Sequence, residues 1–275
     1  MCTLFLFINH FESYPILLIS NRDEYRKRKA KMISGWNQSL TVYGNTVFGP
    51  RDDSKGGTWF ACQNIVKPRW AIITNIRDLS SFKDNLQSRG EIIPHFLNST
   101  LNCAEYLNYL KEKKSNYNYF NLIYSDSKTI YYYNSKENSA KKIADITDKE
   151  KYIYGLSNGN LDEKWPKVEE NKAKFFSYVK SIQNQEKSFA DLWNYFKNEM
   201  RNSKKYELSL LPKTGVSQEK EIFLSSLFIP GSEYGTRTTI LFAISQDQSL
   251  NFCEQTYNNN AQVDEEKTIT AKFYR

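Results

Sequence analysis

Cys2 lies one residue from the start of the sequence, in Met1-Cys2-Thr3. Removal of Met1, which the small side chain of Cys2 permits, would leave one residue carrying both a thiol and a free α-amine. The unperturbed amine titrates at about 7.7 to 8.0 and the thiol at about 8.5, so the amine can take the thiol's proton near neutral pH. Further along, Asn21-Arg22-Asp23-Glu24 closes an apolar run, and Asn75, Asn158 and Arg237 each stand at the end of, or just before, a strand-like run. These residue types suit amide chemistry. Cys2 would attack, Asp23 would orient or charge the α-amine, the asparagine amides would donate to an oxyanion, and an arginine would hold a carboxylate or developing charge. A simpler reading stays open, in which Cys2 is a buried small residue and the charged tetrapeptide a solvated strand end.

Composition narrows the alternatives. The four cysteines, Cys2, Cys62, Cys103 and Cys253, are far apart and form no CxxC pair, so neither a zinc site nor a disulfide framework is expected, and a reducing, cytoplasmic setting is. With only His10 and His95, a His-dependent triad or a multi-His metal site has almost nothing to draw on. The net charge of +7 favours anionic partners, and Arg26-Lys27-Arg28-Lys29-Ala30-Lys31 concentrates it. Lys27, Arg28 and Lys29 are candidates for holding an anionic ligand, against the alternative of a solvated loop. No nucleic-acid signature accompanies the run, and Gly56-Gly57 lacks the Gly-Lys-Ser/Thr of a phosphate-binding loop. No apolar run approaches a membrane span, so no integral membrane segment is expected.

The elements that must position these residues are largely strands. Thr3 to Ile8 and Ile16 to Ser20, separated by the turn-like His10 to Pro15, read as a buried hairpin that returns Asn21 to Glu24 beside Cys2. Gly44 to Gly57 reads as loop, followed by strands at Thr58 to Cys62 and Trp70 to Thr74. Helical signals run from Ser88 to Lys114, divided at Pro94, with Asn102 as an N-cap. Tyr119 to Tyr124, Thr129 to Asn134, Lys141 to Ile143 and Tyr152 to Leu156 read as strands. Helices are expected from Pro166 through Ile182 and from Ser188 through Met200. Strands return at Ile222 to Ile229, Thr238 to Ser245, Leu250 to Thr256 and Thr268 to Phe273. The order fits an α+β fold with mainly antiparallel sheet, in one domain over residues 1–275.

The blocks Met1-Cys2-Thr3, Asn21-Arg22-Asp23-Glu24, Gly57-Thr58-Trp59, Thr74-Asn75-Ile76-Arg77, Ser88-Arg89-Gly90, Phe120-Asn121-Leu122, Gly155-Leu156-Ser157-Asn158, Trp165-Pro166-Lys167-Val168 and Gly235 to Thr239 together resemble the motif series of the NRDE family. The sequence departs from that pattern at Tyr119, Tyr154 and Lys164. The resemblance implies a four-layer αββα sandwich like that of N-terminal nucleophile hydrolases. Its closest mechanistic analogy is with cysteine amidases that open bile-salt and penicillin V amides, and the corresponding order here is Cys2, Arg22, Asp23, Asn75, Asn158 and Arg237. Asn21, Glu24 and Arg77 join Lys27, Arg28 and Lys29 as expected ligand-binding residues. Arg22 and Asp23 are adjacent, however, and in an extended chain must point to opposite faces, so that Glu24 could replace one of them. The resemblance also implies a second class of function, an intracellular carrier of haem or an acyl-CoA. No resident cofactor is expected. Haem would be a carried ligand, with His10 and Cys2 as candidate iron ligands.

Overall fold

The computed structural model describes residues 2–36, 46–64, 68–183 and 185–272. In chain order the elements are β1 (Cys2–Phe11), β2 (Tyr14–Tyr25), β3 (Ala30–Gly35), β4 (Thr46–Asp52), β5 (Phe60–Asn64), β6 (Arg69–Asn75), α1 (Ile92–Asn98), α2 (Cys103–Lys113), β7 (Phe120–Ser125), β8 (Thr129–Asn134), β9 (Ser139–Asp145), β10 (Tyr152–Leu156), α3 (Pro166–Ser181), α4 (Phe189–Glu199), α5 (Gln218–Phe223), β11 (Tyr234–Ile244), β12 (Leu250–Tyr257) and β13 (Val263–Ala271). They form two mainly antiparallel sheets accompanied by helices, the α+β class expected. The chain divides into two compact units, one of residues 1–27 and 149–270, the other of 28–148 and 271–275.

The first unit carries a six-stranded sheet in the order β10-β1-β2-β11-β12-β13. The β1–β2 hairpin forms as the apolar runs require, in continuous register from Cys2↔Arg22 to Ile8↔Ile16. One face of this sheet packs on α3 and α4: Phe5 meets Phe175 at 4.9 Å between ring centroids and Phe7 meets Phe196 at 5.1 Å. Leu4, Leu6 and Leu18, on the alternate positions, are buried as well. Burial on both faces explains why these strands read as unbroken apolar runs rather than as alternation. Pro166 opens α3 at its first turn, where a missing N–H costs nothing. Ser188 and Asp191 close a reciprocal capping box on α4.

Residues 222–229 do not form the expected strand. Ser217 caps a short helix by accepting from Lys220 N, and the chain then turns irregularly from Leu224 to Ile229. Residues 224–229 are all buried, in an unbroken run rather than along one strand face. Side chains supply what a sheet ladder would have supplied. Lys167 Nζ donates to the carbonyl oxygens of Leu224 and Ser226 at 3.1 and 3.3 Å, and Asn21 Nδ2 to that of Leu227 at 3.0 Å.

The second unit is a seven-stranded antiparallel meander, β3-β4-β5-β6-β7-β8-β9. Its first two strands overturn two expectations, since part of Gly44 to Gly57 is strand β4 and Ala30-Lys31 begins β3 instead of continuing a loop. Gly44 itself lies outside the described residues. Glycine inside β4 has a packing cause: a Cβ on Gly49 would stand 2.6 Å from the Phe60 carbonyl oxygen. Pro94 does not divide its helix but sits in the first turn of α1, and the break comes at Ser99. At the other end of the chain β13 starts earlier than the expected Thr268, and Phe273 is outside the described residues.

Candidate functional site

Cys2 begins β1 with its side chain on the face opposite the helix layer, because Phe5 and Phe7, at odd positions, face α3 and α4. Arg22 pairs directly across from it and therefore shares that face. Both are buried, each with only 5% exposure. Arg22 Nη2 lies 3.8 Å from Glu24 Oε2, so the next even position joins the same face. On the other side of β1 the pairing with β10 ends at Leu4↔Leu156, and Asn158 follows two residues beyond it. Ser157 Oγ, at 3.4 Å from the Cys2 carbonyl oxygen and 3.1 Å from Thr3 Oγ1, ties that strand end to β1.

Asn21 and Asp23 point the other way. Asn21 Nδ2 donates to the carbonyl oxygens of Met200 and Leu227 at 2.8 and 3.0 Å, and its Oδ1 accepts from Thr239 Oγ1 at 2.6 Å. Asp23 Oδ1 accepts from Thr236 Oγ1 at 2.7 Å. Burial pushes the Asp23 carboxyl above its usual range, and the charge of Lys167 opposes the shift. Alternation thus splits the tetrapeptide between a pair on the Cys2 face, Arg22 and Glu24, and a pair on the helix face, Asn21 and Asp23.

Arg237 sits in a β-bulge. Thr236 pairs with Asp23 and Thr238 with Arg22, leaving Arg237 as the extra residue. Its Nη1 donates to the carbonyl oxygens of Tyr25 and Arg26 at 3.2 and 2.5 Å. The bulge leaves it next to Thr238, the strand partner of Arg22, and burial and the charge of Arg22 pull its pKa down. Asn75 and Arg77 belong to the second unit, where Asn75 closes β6 opposite Phe120.

The basic run is not uniformly solvated. Arg26 is buried and structural, with Nε donating to the Gly231 carbonyl oxygen at 3.0 Å and Nη1 to those of Thr236 and Tyr257 at 3.1 Å. Arg28 Nε donates to Asp52 Oδ2 at 2.7 Å, and Lys31 Nζ lies 3.8 Å from Asp53. Lys27 and Lys29 are exposed.

Two residues with roles here had none assigned from the sequence. Lys167 is almost fully buried, although the second position of a helix after Pro166 is ordinarily solvated; its place in the motif block Trp165 to Val168 was the signal. Tyr234 Oη donates to the Asp23 carbonyl oxygen at 3.1 Å, across a strand pair that the sequence does not reveal.

Burial raises the Cys2 thiol pKa, Asp23 and Glu24 add to the rise, and Arg22 opposes it. The other three cysteines are buried too. His10 is pulled down to about 4 by burial and by Lys151. Because its folded pKa lies below the unfolded value of about 6.5, the stability it contributes is present above pH 6.5 and is lost as pH falls through about 4. An NMR titration of the His10 ring should find its midpoint near 4, and a midpoint of 6 or above would contradict this environment. Cys2 starts β1 and His10 lies eight residues along it, roughly 25 Å away at about 3.3 Å per residue, so the two cannot hold one iron between them. Among the described residues no group of three or more His, Cys, Asp or Glu is arranged to hold a metal ion, and no helix is long and apolar enough to cross a membrane.

A family model described as Transport and Golgi organisation 2 matches residues 1–259. A human protein named Transport and Golgi organization protein 2 homolog is 25% identical over 260 residues, covering 88% of this chain and 87% of the relative. A mouse Transport and Golgi organization 2 homolog is 24% identical over 256 residues, with the same coverage of each.

Proposed function

This chain belongs to the Transport and Golgi organisation 2 family, and from that premise we propose that it hydrolyses an amide C–N bond in a small acylated substrate, with Cys2 as nucleophile. The observation that carries the reading is the shared face of Cys2, Arg22 and Glu24, with Asn158 two residues past the end of the strand that pairs with β1. Once Met1 is removed, the α-amine of Cys2 takes the thiol proton. The sulfur then bonds to the amide carbon, and the Asn158 amide donates to the resulting oxyanion. Collapse breaks the C–N bond, the leaving amine takes the proton from the α-ammonium, and a water molecule cleaves the thioester to release the acid and restore the thiol. Arg22 and Arg237 would hold a substrate carboxylate, with Lys27 as an outlying cation. Glu24 is the carboxylate of the motif on the thiol's face, and Asp23 acts through the position of β2 and not by contact with substrate.

A second reading is a non-catalytic carrier of haem or an acyl-CoA: Cys2 is only 5% exposed, and that burial, which raises its pKa, disfavours the thiolate a nucleophile needs. The two diverge in one experiment. Intact mass should show the mature chain starting at Cys2, and a β-lactam probe of the penicillin V type should form an adduct on it that Cys2→Ala abolishes. A retained Met1, or labelling spread equally over Cys62, Cys103 and Cys253, would end the hydrolase reading. Saturable haem binding that survives Cys2→Ser would then support the carrier.

A further inference from the structure

A groove of about 650 Å³ runs along α3 at the far end of β1 from Cys2. This volume falls in the range of small-molecule sites. Its floor is apolar, made by Ile153, Val168, Ala173, Phe176 and Val179, and Phe176 leaves 45% of its surface exposed. From Glu169 to Lys180 the helix gives it a length of about 16 Å, at about 1.5 Å per residue. It therefore suits an extended chain better than a compact ligand.

Charge is distributed unevenly along it. Near the start of α3, two lysines and two carboxylates line the groove: Lys172 engages Asp162 at 2.7 Å, and Lys164 and Glu169 stand with them. Near the end of α3 stand Lys151 and Lys180, with no carboxylate among the groove residues there. His10 is brought into this end by a break in the hairpin register between Ile8 and Phe11, where Asn9 takes a positive φ of 57°. His10 lines the groove together with Lys151, whose charge acts on its ring, and Lys180.

We propose that this groove binds a small carboxylate with an extended apolar tail, the tail along Phe176, Ala173 and Val168 and the head between Lys151 and Lys180 beside His10. An apolar floor gains from being covered, and Lys180, whose Nζ stands 4.4 Å from the Phe176 ring centroid, lies with Lys151 at the end away from Asp162 and Glu169, which fixes the end that takes the head. The site shares no residue with the Cys2 chemistry and stands or falls separately from it.

Calorimetric titration of the full chain with monomeric laurate tests the assignment. One laurate per chain should bind saturably below millimolar concentration, while dodecyltrimethylammonium, with the same tail and opposite head, should bind at least tenfold more weakly. Lys151→Glu with Lys180→Glu, both at exposed positions, should weaken laurate about tenfold. Ala173→Trp, exposed on α3 and leaving every charge in place, should block it by filling the groove. No saturation, equal binding of the cationic amphiphile, or laurate affinity untouched by Ala173→Trp would each overturn the proposal. Cys2→Ala should leave the titration unchanged.

Discussion

Asn21→Ala will destabilise this chain by about 3 kcal/mol, whereas Glu24→Gln, three residues along the same strand, will cost less than about 1 kcal/mol. Asn21 is fully buried and makes three hydrogen bonds, two to the carbonyl oxygens of Met200 and Leu227 and one from Thr239. Each is worth about 1 kcal/mol net, and alanine would also leave both carbonyls without their donor. Glu24 keeps 15% of its side chain exposed and meets Arg22 only at a long 3.8 Å, and glutamine keeps an oxygen for the Tyr25 N–H that Glu24 Oε1 accepts at 2.9 Å. Thermal unfolding followed by circular dichroism should separate them, Asn21→Ala lowering the midpoint by roughly 5–10 °C. Turnover or adduct formation at Cys2 should invert the ranking per folded molecule, Glu24→Gln losing more. Equal stabilities would mean that the two faces of β2 are not divided between support and chemistry.

Phe175→Ala should cost more still, about 3–5 kcal/mol, while Phe176→Ala should stay within about 0.5 kcal/mol of the parent. The rings are adjacent on α3, but Phe175 is fully buried among Phe5, Phe7, Tyr195 and Phe196, with centroid separations from 4.9 to 6.5 Å, and Phe176 lies in the open groove. Removing the first leaves a cavity that the aromatic neighbours fill only in part. Against a total stability of order 5–15 kcal/mol, that loss brings the chain close to unfolding at 37 °C. Urea titrations of both variants would show it, and similar midpoints would remove α3 from the core.

What could be read from the residues depended on how locally the cause was encoded. The N-terminal hairpin was legible because two apolar runs with a short turn admit few other folds, and the register then followed, with Arg22 opposite Cys2. The split of Asn21 and Asp23 from Arg22 and Glu24 was legible as well, from strand alternation alone. By contrast, residues 222–229 looked like a strand because the residues that satisfy their carbonyls, Asn21 and Lys167, are far away in sequence. Arg26 looked solvated for the same reason, since its acceptors Gly231, Thr236 and Tyr257 lie more than two hundred residues on. Strand β4 was hidden by glycine, proline and aspartate, residues that suggest turns unless a close neighbour such as Phe60 is known.

The sheet of the first unit also sets a timetable for synthesis. Strand β2 must wait for β11, and Asp23 for Thr236, a separation of 213 residues. At about 5–20 residues per second on the ribosome, the hairpin spends roughly 10–40 s without its long partner. During that time Ile19, Asn21 and Asp23 have none of their final contacts from β11, so this apolar segment depends on chaperones or on slow translation to avoid pairing with other nascent chains. The same interval is when enzymes that trim nascent chains can reach the residue before Cys2, ahead of the thiol's burial. A pulse-labelled chain halted before residue 234 should therefore be protease-sensitive throughout residues 2–25, and protected only after β11 has emerged.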